Sequence, residues 1–185
     1  MITDKKERIL LTALKMFVEN GIDATSTAKI AKNAEVASGL IFHHFGNKEN
    51  LIRELYIHIK EIIAIPLRNI VDLSAFTESK FKTIWRVGIE IGLENILSVK
   101  FLHQYSYSRF IDKSDRNKGK ELFSGYREFF QNGIDNGILK KIDSDLIAEL
   151  VFEQNIFLIM YMYENNISKK EILKFYPLIR DMIFI

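Results

Sequence analysis

His43 and His44 lie side by side in "SGLIFHHFGNK", residues 38–48, with Phe42 and Phe45 on either side. Two imidazoles invite a metal reading. Neighbours on a helix point about 100° apart, however, whereas two ligands on one face need a spacing of three or four residues. His58 and His103 stand alone in sequence. Ser38, Ser106 and Ser108 lie in no nucleophile-elbow pattern. The absence of cysteine removes thiolate catalysis, cysteine metal sites and disulfides together, and fits a reducing compartment. Glu90 and Glu94 are one helical turn apart, the spacing of a solvated face more often than of an acid/base pair. The expectation is a protein that is not an enzyme, with no metal and no cofactor.

The same cluster makes better sense as a contact surface, which requires elements to hold it. Only two prolines, Pro66 and Pro177, and apolar residues spaced by three and four predict an almost all-helical chain. Thr3 is placed to cap a first helix whose Ile9, Ala13, Leu14 and Phe17 share a face, and Gly21 to end it in a left-handed turn. Thr25, Ser26 and Thr27 offer capping hydroxyls to a short second helix containing Ile30, Ala31 and Ala34. A turn at Glu35 and Val36 leads to a third helix over about 38–44. Asn47 caps a fourth, which Pro66 should kink or end because proline removes a helical donor and clashes backwards.

Two short helices joined by a tight turn can present the second to a DNA major groove if they pack closely enough to hold their angle. Ala31 supplies the close approach, while Ile30, Ala34, Val36, Ile41 and Phe45 are the inward set. Ser38, Gly39, Leu40, Phe42, His43 and His44 then face outward. Glycine weakens a helix but lets backbone come close. Leucine and phenylalanine suit a thymine methyl or a sugar, and histidine can donate to a phosphate or a base acceptor. The helix starts at residues 25–27 and 47–48, with Lys29, Lys32 and Lys48, suit phosphates. Bulk charge adds little: residues 1–60 hold 9 Lys and Arg against 7 Asp and Glu, and the rest of the chain balances. Recognition must therefore come from where individual charges sit.

Gly21, Thr25, Ser26, Ile30, Ala31, Ala34, Val36, Gly39, Phe45, Lys48, Glu49 and Leu51 fall in register with a signature that resembles the TetR family of bacterial repressors. The match spans about residues 5–55. The resemblance implies an all-α protein of about nine helices: a three-helix helix-turn-helix head, residues 1–46, and a larger helical body, residues 47–185, that binds a small-molecule effector and dimerises, helix four joining the two. By motif, Thr25, Ser26, Thr27, Phe42, His44 and Lys48 fall at or near the DNA backbone, and Ser38, Gly39, Leu40 and His43 at or near the bases. Three residues depart from the signature. Glu35 stands where glycine is usual in the turn, Ala37 where a serine caps the third helix, leaving Ser38 as a substitute cap, and Phe42 where tyrosine offers a hydroxyl.

In the body, helices are expected at about 78–97, 99–111, 116–136, 144–165 and 169–183, the last opened by a Ser168 to Glu171 capping box. Phe81, Trp85, Phe101, Tyr105 and Phe110 could line an effector cavity with His103, Gln104 and Tyr107 as polar contacts, although aromatic stripes more often fill interiors. Residues 146–164 are apolar nearly all round, leaving a face for a second chain, so a homodimer through the last two helices is expected. The apolar run at 156–163 is shorter than a membrane span, and a cytoplasmic protein with no membrane partner is expected. Together these give a repressor that binds palindromic double-stranded DNA as a homodimer and is released by an effector. The alternative is a helical small-molecule-binding or interaction protein whose degenerate head no longer reads DNA.

Overall fold

The computed structural model describes residues 5–68 and 70–185, so the expected cap Thr3 lies outside the described residues. Among the described residues, ten α-helices and one 3-10 segment follow in order: α1 Lys5–Asn20, α2 Thr27–Asn33, α3 Ser38–Phe45, α4 Lys48–Leu67, α5 Glu78–Glu94, α6 Ile96–Tyr105, α7 Lys113–Glu121, α8 Ser124–Asp135, α9 Ser144–Glu164, the 3-10 segment Lys169–Phe175 and α10 Tyr176–Ile183. An isolated bridge between Leu139 and Phe184 is the extended pairing among the described residues. The fold is all-α, as expected.

Two expected helices are divided. The 116–136 stretch becomes α7 and α8, broken at Phe123, whose φ of −113° and ψ of 17° leave helical geometry. The start of α7 is set by a reciprocal pair missed in the sequence: the Asp115 amide donates to the Asp112 carboxylate at 3.0 Å and the Asp112 amide to that of Asp115 at 3.2 Å. The bond from the Asp115 amide holds the Asp112 carboxyl below its ordinary value. The 169–183 stretch opens as 3-10 rather than α. Ser168 does cap it, accepting from the Lys170 amide, and the Glu171 carboxylate turns back to the Ser168 amide while also pairing with Lys174. Pro66 sits one residue before the end of α4.

The chain divides into two compact units, residues 1–60 with 100–119 and residues 61–99 with 120–185. In the first, Ile9, Ala13, Leu14 and Phe17 of α1 are buried with Ile30, Ala31, Ile41, Phe45, Leu51, Leu55 and Ile59. Each such leucine, isoleucine or phenylalanine side chain contributes roughly 1.5–3 kcal/mol on burial. The Tyr105 hydroxyl donates to the Phe17 carbonyl at 3.2 Å, and Arg109 meets Asp23 at 2.8 Å, so the 100–119 segment is fastened to the end of α1 and the turn beyond it.

The second unit is built round aromatic rings. Phe76 lies 4.6 Å from Phe129, and Phe81 packs with Phe130, Tyr176 and Phe184. The indole of Trp85 donates to Gln154 at 3.1 Å, and the buried Tyr126 hydroxyl to the Leu67 carbonyl at 3.0 Å. Gly133 is required here, because a Cβ would come within 2.8 Å of both Leu139 and Phe76. Among the described residues α9 is the helix long and apolar enough, by length and composition, to cross a membrane. Its Ile147, Ile156, Leu158, Ile159 and Met162 are buried in this unit, which makes it a core helix.

Candidate nucleic-acid interface

The interface begins with how α1 ends. Gly21 adopts φ +83°, a conformation that costs an L side chain, and its amide donates to the Phe17 carbonyl. Ser26, extended at φ −87° and ψ 153°, accepts from the Lys29 amide at 3.2 Å and caps α2. Thr25 is placed differently from the sequence expectation. It is fully buried, and its hydroxyl donates to the Gly21 carbonyl at 2.8 Å, so it builds the turn and does not face solvent. Ser26 is exposed and Thr27 half-buried.

Glu35 takes φ +53°, supplying the left-handed turn for which the signature uses glycine. A non-glycine residue there costs about 1–2 kcal/mol. Arg8 of α1 donates to the Glu35 carbonyl at 3.2 Å and holds the turn from outside, a contact with no local sequence signal. The Val36 amide donates to the Ala31 carbonyl at 3.0 Å, closing α2 against the turn.

Ala37 is the N-cap of α3 and provides no side-chain bond; Ser38 is the first helical residue and not the substitute cap. Ile41 and Phe45 are buried, as the inward set requires, and Val36 is half-buried. Phe42 is 74% exposed; Ser38, Gly39 and His43 are exposed, and Leu40 and His44 half-buried. His43 and His44 meet edge to face with centroids 5.4 Å apart, and no group of three His, Cys, Asp or Glu suited to a metal occurs among the described residues. A Cβ at Gly39 would meet nothing within 4 Å, so nothing in the described chain requires glycine there.

Past α3, Gly46 turns at φ +76° and Asn47 accepts from the Asn50 amide at 2.8 Å, capping α4 as expected. Lys48 extends across to the Ile22 carbonyl at 2.5 Å, which ties the start of α4 to the α1–α2 turn. Lys29 and Lys32 are exposed on α2. The effector candidates fall in both compact units. Phe81 and Trp85 belong to the aromatic interior of the second. Phe101, His103, Gln104, Tyr105, Tyr107 and Phe110 belong to the first. There Phe101 is buried against the Tyr105 ring, His103, Gln104 and Tyr107 are exposed, and Phe110 lies under the Arg109 guanidinium.

Comparison with known proteins follows the same lines. Residues 9–55 match the model of bacterial regulatory proteins of the tetR family, and residues 77–173 a tetracyclin repressor-like C-terminal domain. The HTH-type transcriptional repressor KstR2 of Mycobacterium tuberculosis is 26% identical over 157 residues, covering 81% of this chain and 77% of its own. The HTH-type transcriptional regulator YhgD of Bacillus subtilis is 28% identical, covering 86% and 84%. A TetR-family transcription regulator from Shewanella sp. PV-4 superimposes with a TM-score of 0.90 at 26% identity, over 98% of this chain and 99% of that one. With its helix-turn-helix built residue by residue and both halves matched, this chain belongs to the TetR family of transcriptional regulators.

Proposed function

We propose that this regulator is a repressor that binds a palindromic operator as a homodimer and releases it when a small molecule binds. The observation that carries the DNA-reading part is Gly39. It lowers helix stability by about 0.5–1 kcal/mol relative to alanine, yet it faces outward with open space beyond it. A position that costs stability and serves no packing suits close approach by another molecule. Leu40, Phe42 and His43 flank it and Ser38 and His44 border it; Ser26 and Thr27 are assigned to the phosphates, with Lys48, whose ammonium also holds the Ile22 carbonyl, at the start of α4. The Arg8-braced Glu35 turn argues against the degenerate-head alternative, because the helix pair is held despite the missing glycine.

Dimerisation through α9 and α10 is supported by large apolar side chains left exposed on both helices: Leu146, Phe157 and Tyr161 on α9, Leu178 and Met182 on α10. Two-fold pairing would set the two α3 helices about one DNA turn, ~34 Å, apart. Effector control has a route in the 101–110 segment, since Tyr105 bonds the end of α1 directly and a shift there moves the head. Helix α4, shared between the two compact units, offers a second route. A DNA-bound regulator of this kind works in the cytoplasm.

Selection of bound sequences from a random duplex pool, repeated at two salt concentrations, tests the proposal. An enriched palindrome is the expected outcome, with sedimentation giving two protomers per site. Retention of DNA with no sequence enriched would sink operator reading.

A further inference from the structure

Resting on the operator-binding proposal, a finer feature of α3 bears on what it can read. The residues of α3, "SGLIFHHF", include no arginine, lysine, asparagine or glutamine. Those are the side chains that pair bidentately with guanine or adenine in the major groove. Lys29 and Lys32 are exposed but lie on α2, and three candidates on α1 and at the start of α4 are engaged. Arg8 holds the Glu35 carbonyl, Lys48 the Ile22 carbonyl, and Asn47 caps α4. At about 100° per residue, Gly39 and His43 lie opposite the buried Ile41 and Phe45, with Leu40 on one flank and Phe42 on the other. The ridge of this helix is therefore low at Gly39, and its flanks are apolar.

We infer that α3 reads its half-site by apolar contact, Leu40 and Phe42 meeting the C5-methyl groups of thymines, with His43 as a single donor and no bidentate purine contact. Thymine is the base that presents a methyl in the major groove, and apolar side chains are its complement. Phe42 fits this role as it stands: its ring is 74% exposed and carries no hydroxyl to direct at a phosphate.

The test uses the full-length protein and the palindrome recovered by selection. Each thymine is replaced singly by uracil, which deletes the methyl and leaves the Watson–Crick edge intact. Affinity is expected to fall about fourfold at each contacted thymine, the value of one buried methyl group. Replacing individual purines by their 7-deaza analogues, which removes the N7 acceptor, is expected to cost less than this except where His43 donates. In Leu40→Ala and Phe42→Ala, the uracil penalty at the matching thymine is expected to disappear. Both side chains lie on the outer side of α3, and circular dichroism checks that the variants fold.

Uracil substitution without effect at every thymine, alongside large 7-deaza losses at several purines, would overturn the inference while leaving operator binding intact. Uracil penalties unchanged in both variants would overturn the assignment to Leu40 and Phe42. If no palindrome is recovered at all, the operator proposal itself fails, and methyl reading fails with it.

Discussion

Phe42 and Phe81 carry the same side chain, 74% and 1% exposed. Gly39 and Gly133 form a parallel pair: a Cβ would meet open space at the first, and Leu139 and Phe76 at the second. In the interior of the second unit, each aromatic and each glycine is accounted for by its neighbours. On α3, a Cβ at Gly39 would meet open space and Phe42 stands mostly exposed, so packing accounts for neither. A costly residue explained by packing speaks of stability, and one that packing leaves unexplained points to a ligand.

Substitutions can break this contrast, beginning with the largest effect. Phe81→Ala removes a ring packed on four others and should destabilise the second unit by about 3–5 kcal/mol. The chain's single tryptophan, Trp85, lies in that unit, so urea denaturation followed by its fluorescence reads the loss directly. Gly133→Ala should cost about 1–3 kcal/mol in the same measurement, since the new methyl must displace Leu139 or Phe76.

Tyr126 sharpens the interior half of the comparison. Its ordinary pKa of 10.0 is pushed up to about 12 by burial. The folded state therefore keeps the proton while the unfolded chain loses it. This contribution is complete below pH 10.0 and is lost as pH rises toward about 12. Tyr126→Phe should cost about 1 kcal/mol at neutral pH through the lost bond to the Leu67 carbonyl. It should also flatten the fall in stability over that alkaline window; an unaltered pH profile would place its origin elsewhere.

On α3 the signs change. Gly39→Ala should stabilise the head by about 0.4–1 kcal/mol, seen as slower amide exchange in α3, and should weaken DNA binding. Stabilisation with unaltered DNA affinity would remove the argument from close approach. Phe42→Ala should change stability by less than about 0.5 kcal/mol while reducing affinity for the operator. A large loss of stability would mean that Phe42 packs within the protein after all.

The parts read correctly in advance share a short range. Gly21 at φ +83°, the Asn47 cap and a capping hydroxyl before α2 are each decided within a few residues, by local hydrogen bonds and backbone sterics. Thr25 was misplaced for the same reason. Three adjacent hydroxyls, residues 25–27, look equivalent in sequence, and the fold sends one inward to the Gly21 carbonyl while another caps α2. In the body, periodicity runs through Phe123 without a break, whereas the chain leaves helical geometry there and divides most of α7 from α8 between the two compact units. The aromatic residues between 81 and 110 likewise looked like one cluster, whereas the chain deals them to two compact units.

Alternation of apolar residues, capping side chains and the inward set Ile30, Ala31, Ala34, Ile41 and Phe45 were enough to determine an all-helical chain with a helix-turn-helix head, since each acts over one or two helical turns. Tertiary structure decided the rest: Arg8 on the Glu35 carbonyl 27 residues away, Lys48 on Ile22 at 26 and Tyr105 on Phe17 at 88. A charged or hydroxyl side chain carries no sequence mark of the carbonyl it will satisfy. That partner exists only once packing has brought two distant backbones together and left one acceptor unpaired.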